Sequence, residues 1–159
     1  MGATDEVATT IYEKLNIEGV SVLDVYKIDP SRFLEFDILI LGVPTWFIGD
    51  LQSAWEEFFP EFQKINFEGI RVGFFGLGDQ NGYPDNFVDG IGILAEVVKK
   101  NGGEIFGYWK NEGYNFDLSR GLVTEDLFYG LVIDEDNQQS QTVNRIEKWV
   151  RQIKKELKI

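Results

Sequence analysis

Cysteine and histidine are both missing from this chain. Without thiols there is no disulfide, no thiolate nucleophile and no thiolate-held metal cluster. Without imidazole the commonest acid–base group and metal ligand is gone as well. Positive charge is scarce: 15 Lys and Arg stand against 27 Asp and Glu, a formal net charge of −12. Nucleic acid and anionic bilayers need cationic partners, so both are disfavoured. A basic protein surface, approached by electrostatic steering, is the favoured counterpart. No apolar run reaches the about 18 residues that span a bilayer, so membrane insertion is not expected. Residues 1–6 have neither the basic start nor the apolar core of a secretory leader, and a cytoplasmic location is predicted.

What is present is enough for a core. Hydrophobic residues make up 43% of the 159, with 13 Phe, 6 Tyr and 4 Trp, which argues against disorder. Strand-like and helix-like patterns alternate, as in a parallel sheet covered on both faces, and one domain over residues 1–159 is predicted. Thr4 or Asp5 is placed to cap a first helix burying Val7, Ala8, Ile11, Tyr12 and Leu15. Residues 20–24 read as a short strand and residues 36–43 as a buried parallel one. A helix is expected over residues 52–63, with Phe58 and Phe62 in the core. Residues 71–75 form the next strand. The following helix buries Phe87, Ile91, Leu94 and Val98 and ends at Asn101-Gly102-Gly103. Residues 103–109 read as strand, residues 111–126 as a polar irregular stretch, and residues 127–133 as strand again. The last helix covers residues 141–158, with Val143, Ile146, Trp149, Val150, Ile153 and Leu157 at helical spacing.

Two loops at strand ends carry the functional signal. Pro44-Thr45-Trp46-Phe47-Ile48-Gly49-Asp50-Leu51-Gln52 follows the first buried strand. Gly76-Leu77-Gly78-Asp79-Gln80-Asn81-Gly82-Tyr83-Pro84-Asp85-Asn86-Phe87 follows the next. Open α/β sheets bind ligands at the carboxyl ends of their strands. One Trp loop beside one Tyr loop makes a clamp for a flat heteroaromatic ring, and glycines let backbone approach it closely.

These loops, with Ile133-Asp134-Glu135-Asp136-Asn137-Gln138, resemble the flavodoxins, and within them the long-chain type. The resemblance runs from Gly2 to the C-terminus. It implies an α/β, flavodoxin-like doubly wound parallel sheet of strand order 2-1-3-4-5, its last strand split by an insertion. It also implies non-covalent FMN. Trp46 and Tyr83 would take the two faces of the ring, with Phe47, Ile48 and Gly49 beside it. Gly78, Asp79, Gln80, Asn81 and Gly82 would lie along the pyrimidine edge. Asn86 belongs to the same loop, although Asp85 and Asn86 also suit a helix cap. Thr45 would reach the ribityl end, and Gly2 and Thr4 the phosphate, at a helix N-terminus.

Where the family has Asn or Gly after the Trp, this chain has Phe47, which tolerates unusual backbone angles less well. The family's first strand, central in the sheet, and most of its phosphate loop have no counterpart before Gly2. A truncated or mis-set start, a variant that closes the sheet by pairing residues 20–24 with residues 38–42 or by self-association, and a segment supplied from elsewhere all remain open. The function implied is a low-potential one-electron carrier, not an enzyme. Asp50, Asp79, Asp134 and Asp136 would disfavour a reduced, anionic flavin. The partners implied are ferredoxin–NADP reductase, photosystem I or flavodoxin-dependent oxidoreductases. The alternative from another class is a flavin-free binding or regulatory module.

Overall fold

A computed structural model of the chain describes every residue except Met1, Phe47, Ile48, Gly49 and Gln52; of Thr45, Trp46, Asp50 and Leu51 it describes the backbone. The elements run α1 (Ala3–Leu15), a 3-10 turn (Pro30–Glu35), β1 (Ile38–Trp46), β2 (Asp50–Leu51), α2 (Ser53–Phe62), β3 (Arg71–Leu77) and α3 (Asp89–Lys100). Then follow β4 (Glu104–Ile105), β5 (Trp109–Lys110), β6 (Leu122–Thr124), β7 (Leu127–Phe128), β8 (Leu131–Ile133), α4 (Glu135–Gln138), a second 3-10 turn (Gln139–Gln141) and α5 (Thr142–Leu157).

β3 is the hub, buried from Val72 to Leu77 as a parallel strand covered on both faces should be. β1 pairs with it in parallel along its whole length, from Ile38↔Arg71 to Pro44↔Leu77. The other edge of β3 is shared. β4 takes its first half at Arg71↔Glu104, and β8 takes its second half at Phe75↔Leu131. Between β4 and β8 the chain leaves to form a small antiparallel sheet in the order β5-β7-β6. The edge position is therefore one strand interrupted by an insertion, as the family resemblance implies.

The break occurs earlier than expected. Gly107 sits at φ +78, its N–H is held by Glu156 at 3.0 Å, and its carbonyl accepts from the Trp149 indole at 2.8 Å. A left-handed glycine cannot continue a ladder, so residues 103–109 divide into β4 and β5. Trp149 itself is fully buried, with Ile146, Val150, Ile153 and Leu157 on the same side of α5. Val143 is exposed, because Thr142 takes the buried position in the first turn.

Residues 20–24 are not a strand: they pair with nothing in the sheet, and Val22 and Leu23 are exposed. The pairing of residues 20–24 with residues 38–42, one of the alternatives left open by the sequence, does not occur among the described residues. Among the described residues, no strand pairs with β1 on that edge below Thr45. Arg71 donates its N–H to the Asp37 carbonyl at 2.9 Å, so backbone alternation turns Ile38, Ile40 and Gly42 away from β3. The Gly42 carbonyl is met there by the Trp55 indole at 2.9 Å. Phe58 and Phe62 are core residues, as expected.

At the N-terminus the cap of α1 is Gly2, not Thr4 or Asp5, and it has no side-chain bond to the helix. Val7, Ile11 and Leu15 are buried, whereas Tyr12 is exposed.

Candidate functional site

Because β1 and β3 are in register to Pro44↔Leu77, the segments that follow leave the sheet side by side. The first returns at once: Thr45 and Trp46 pair antiparallel with Leu51 and Asp50. The loop expected there is thus the tip of a two-stranded hairpin. Phe47, Ile48 and Gly49 lie outside the described residues, as does the placement of the Trp46 and Thr45 side chains.

The second loop is built around one carboxylate. Asp79 accepts from Gly82 N at 2.7 Å and from Asn81 N at 3.1 Å, and its carbonyl accepts from Tyr83 N at 2.9 Å. A Cβ on Gly82 would run into that carboxylate, so glycine is needed there for close approach. The Gly82 N–H holds the Asp79 carboxyl below the usual range, against a smaller opposing effect of burial. The loop ends in Val88, a β-branched residue at φ 47, which turns the chain into α3. Helix α3 begins at Asp89, so neither Asp85 nor Asn86 caps it; Asn86 donates to Asp89 Oδ2 at 3.2 Å.

A cleft of about 1340 Å³ runs beside β1 and up to these strand ends. Pro44, Gly78, Asp79 and Tyr83 line it where these strands end and form its upper rim, and Gly2 and Thr4 at the start of α1 line the same cleft. Tyr83 is 39% exposed, a surface aromatic and not a core one. Apolar residues of α1 and β1 line the depth of the cleft. Gln80, Asn81, Gly82 and Asn86 do not line it. Gln80 is turned inward and is 4% exposed, and Asn81 Nδ2 donates to Asn137 Oδ1 at 2.8 Å.

Asp134 and Asp136, two residues apart, behave differently. Asp134 is wholly buried and bonded to the second loop, whereas Asp136 lines the cleft. Burial raises the Asp136 carboxyl, with the Asp79 and Asp134 charges adding to the effect. Among the described residues no Lys or Arg sits on the upper rim; Arg32 lines the cleft from the turn before β1. Aromatic face, exposed backbone, helix N-terminus and excess negative charge are a donor set suited to a neutral planar ring carrying a polar tail.

Such an arrangement defines an α/β domain that holds a flat ligand across the carboxyl ends of neighbouring parallel strands. The Flavodoxin family model matches residues 1–149. Flavodoxin 1 of Escherichia coli strain K12 is 41% identical over 156 residues, covering 98% of this chain and 89% of the relative. The flavodoxin of Synechococcus elongatus is 44% identical over 156 residues, covering 98% and 91%. The crystal structure of Fusobacterium nucleatum flavodoxin bound to flavin mononucleotide superposes with a TM-score of 0.90 at 31% identity, covering 97% and 91%. This chain belongs to the flavodoxin family.

Residue-level reasoning missed the parts that hold the second loop from below. Asn115 and Asn137 bond Gln80, Asn81 and Asp79 across sequence separations of 35 to 58 residues. The one local signal was Asp134 followed by Asn137, an N-cap spacing at the end of an apolar run.

Proposed function

We propose that this chain binds FMN non-covalently at the rim of the cleft and carries single electrons between redox proteins. It is an electron-transfer protein and not an enzyme. The observation that carries the reading is that Gly2, Thr4, Gly78, Asp79 and Tyr83 line one cleft, which reaches the carboxyl ends of β1 and β3 at Pro44 and Leu77. Bound FMN supplies the one-electron chemistry. The chain binds it, orients it and sets the charge around it.

Tyr83 would cover one face of the ring and Trp46 the other, each contact contributing about 0.5–1.5 kcal/mol beyond area burial. Backbone groups of Gly78, Asp79, Asn81 and Gly82 would take the polar edge. Gln80 would act from beneath, since its side chain is committed inside the protein. The first turn of α1 at Gly2 and Thr4, with Thr45, would face the phosphate.

Asp79 and Asp136 on or beside the rim disfavour an added negative charge, which supports a low-potential carrier. The three-stranded insertion supports the long-chain type. With a net charge of −12 the partners would present basic surfaces, as ferredoxin–NADP reductase, photosystem I and flavodoxin-dependent oxidoreductases would. The cytoplasm is the compartment this composition suits. The unpaired edge of β1 is where self-association would occur.

The test is to load the chain with FMN, remove free flavin by gel filtration, reduce it, and mix it with a one-electron haem acceptor. Retention of one FMN per chain and re-oxidation at two electrons per flavin support the reading. Loss of all flavin on the column overturns it.

A further inference from the structure

Beneath the second rim loop lies a carboxylate that helix capping does not explain. Asp134 ends β8 and is fully buried. As the N-cap of α4 it accepts from Asn137 N at 3.0 Å through Oδ1, which is all that a cap requires. Its second oxygen, Oδ2, faces the loop and accepts from Gln80 N at 3.0 Å and Gln80 Nε2 at 2.7 Å. Asn137 Nδ2 approaches both oxygens, at 3.1 and 3.0 Å, and also reaches Asp79 Oδ1 at 2.8 Å. The remaining polar atom of the Gln80 amide, Oε1, accepts from Asn115 N at 2.6 Å. Every polar group of that side chain is thus committed inside the protein.

Burying a carboxylate is costly unless it is paired. Among the described residues, no Lys or Arg forms an ion pair with Asp134. Arg145 comes only as far as the face of Tyr114, 4.2 Å from the ring centre, and the field of Asp134 reaches the same tyrosine. A cap alone needs no such burial, since an exposed Asp would serve. The excess oxygen takes, besides the Asn137 amide, both donors of Gln80, the inward-turned member of the rim loop.

We propose that Asp134 is the positioning residue of the cofactor loop. Through Gln80 it fixes the height and tilt of Gly78, Asp79 and Tyr83, and the insertion locks the same amide through Asn115. The Tyr83 ring and the loop backbone are then held before any ligand arrives, so less ordering remains to be done on binding. The proposal rests on the FMN reading.

The test compares the parent chain with Gln80→Met and Asp134→Asn, using FMN as the probe. Gln80→Met removes the side-chain links to Asp134 and Asn115, leaves the Gln80 N–H bond to Asp134 and keeps the cap; Asp134→Asn keeps the shape but turns a donor or a neutral oxygen toward Gln80. Three readouts are taken: FMN affinity by fluorescence quenching, potential of the bound flavin by spectroelectrochemistry, and amide exchange of residues 79–83 and 115 in the FMN-free chain. The expected results are at least tenfold weaker FMN binding in both variants, and faster exchange confined to those amides. The potential rises in Asp134→Asn beyond any rise in Gln80→Met.

Affinity within twofold of the parent in Gln80→Met, with unchanged exchange at residues 79–83, overturns the proposal. Exchange rising equally across α3 and α5 overturns it too, since the network would then serve only global stability. Failure of the parent chain to bind FMN strikes the functional reading instead, and the exchange data still decide whether the lock exists.

Discussion

On one side of the cleft the second rim loop is tied to β8, α4 and the insertion by hydrogen bonds to Asp134, Asn137 and Asn115. On the other side, among the described residues, no strand pairs with β1 below Thr45 along the edge that turns away from β3. There Ile38 is exposed, Leu39 and Ile40 are half-buried, and residues 20–28 cross without joining the sheet. Few bonds hold that crossing segment, among them Tyr26 Oη with Ser53 Oγ at 3.1 Å. The difference teaches that the polar edge of the site and its apolar depth are held by different physics. The loop is held by directional bonds among buried polar groups, which fail sharply when one is removed. The β1 wall, beyond its ladder with β3 and the Trp55 bond to Gly42, rests on packing, which yields gradually.

The comparison breaks most visibly in stability. Phe74→Ala, at a fully buried position in β3, is expected to cost about 3–5 kcal/mol. Leu39→Ala, half-buried on the cleft side of β1, is expected to cost clearly less. Urea titration of each variant checks this; equal losses would mean that the two walls are not different.

Tyr83→Ala comes next. Losing one aromatic face removes about 0.5–1.5 kcal/mol beyond the area term, so FMN affinity should fall about tenfold. Its urea midpoint should stay put, because the ring is exposed. A large stability loss would make Tyr83 a structural residue.

Amide exchange sharpens the contrast without mutation. Residues 20–28 are expected to exchange through local opening at little cost, whereas β3 amides exchange only on global unfolding. Similar protection in both would remove the distinction.

The smallest effect concerns acid. The Asp79 carboxyl is depressed below its ordinary 3.8, so its contribution to folding is present above 3.8 and is lost as pH falls through the depressed value. The Asp136 carboxyl is raised, so its penalty is present at neutral pH and is relieved as pH falls toward 3.8. Urea midpoints of Asp136→Asn and the parent should therefore converge on approaching pH 4, and those of Asp79→Asn and the parent should converge only below it.

The sequence showed what depends on local pattern and hid what depends on distant partners. The β1 and β3 runs and α5 with its Trp149 were legible from hydrophobic period, whereas the split of the edge strand came from the family resemblance. The strand expected at residues 20–24 was not formed, because a strand exists only against a neighbour and none pairs with it here. The start of α3 was misplaced because Asn86 bonds Asp89 from outside the helix. In the site, Asp79 and Tyr83 were readable from their glycine-rich loop. The inward turn of Gln80 was not, since its partners lie 35 and 54 residues away.

The central claim is that the rim formed by α1 and the two strand ends holds one FMN. Fluorescence titration of FMN with the purified chain tests it most directly. The account predicts quenching that saturates at one FMN per chain and weakens in Tyr83→Ala. Undiminished flavin fluorescence in the presence of excess chain, shown to be folded by circular dichroism, would contradict it.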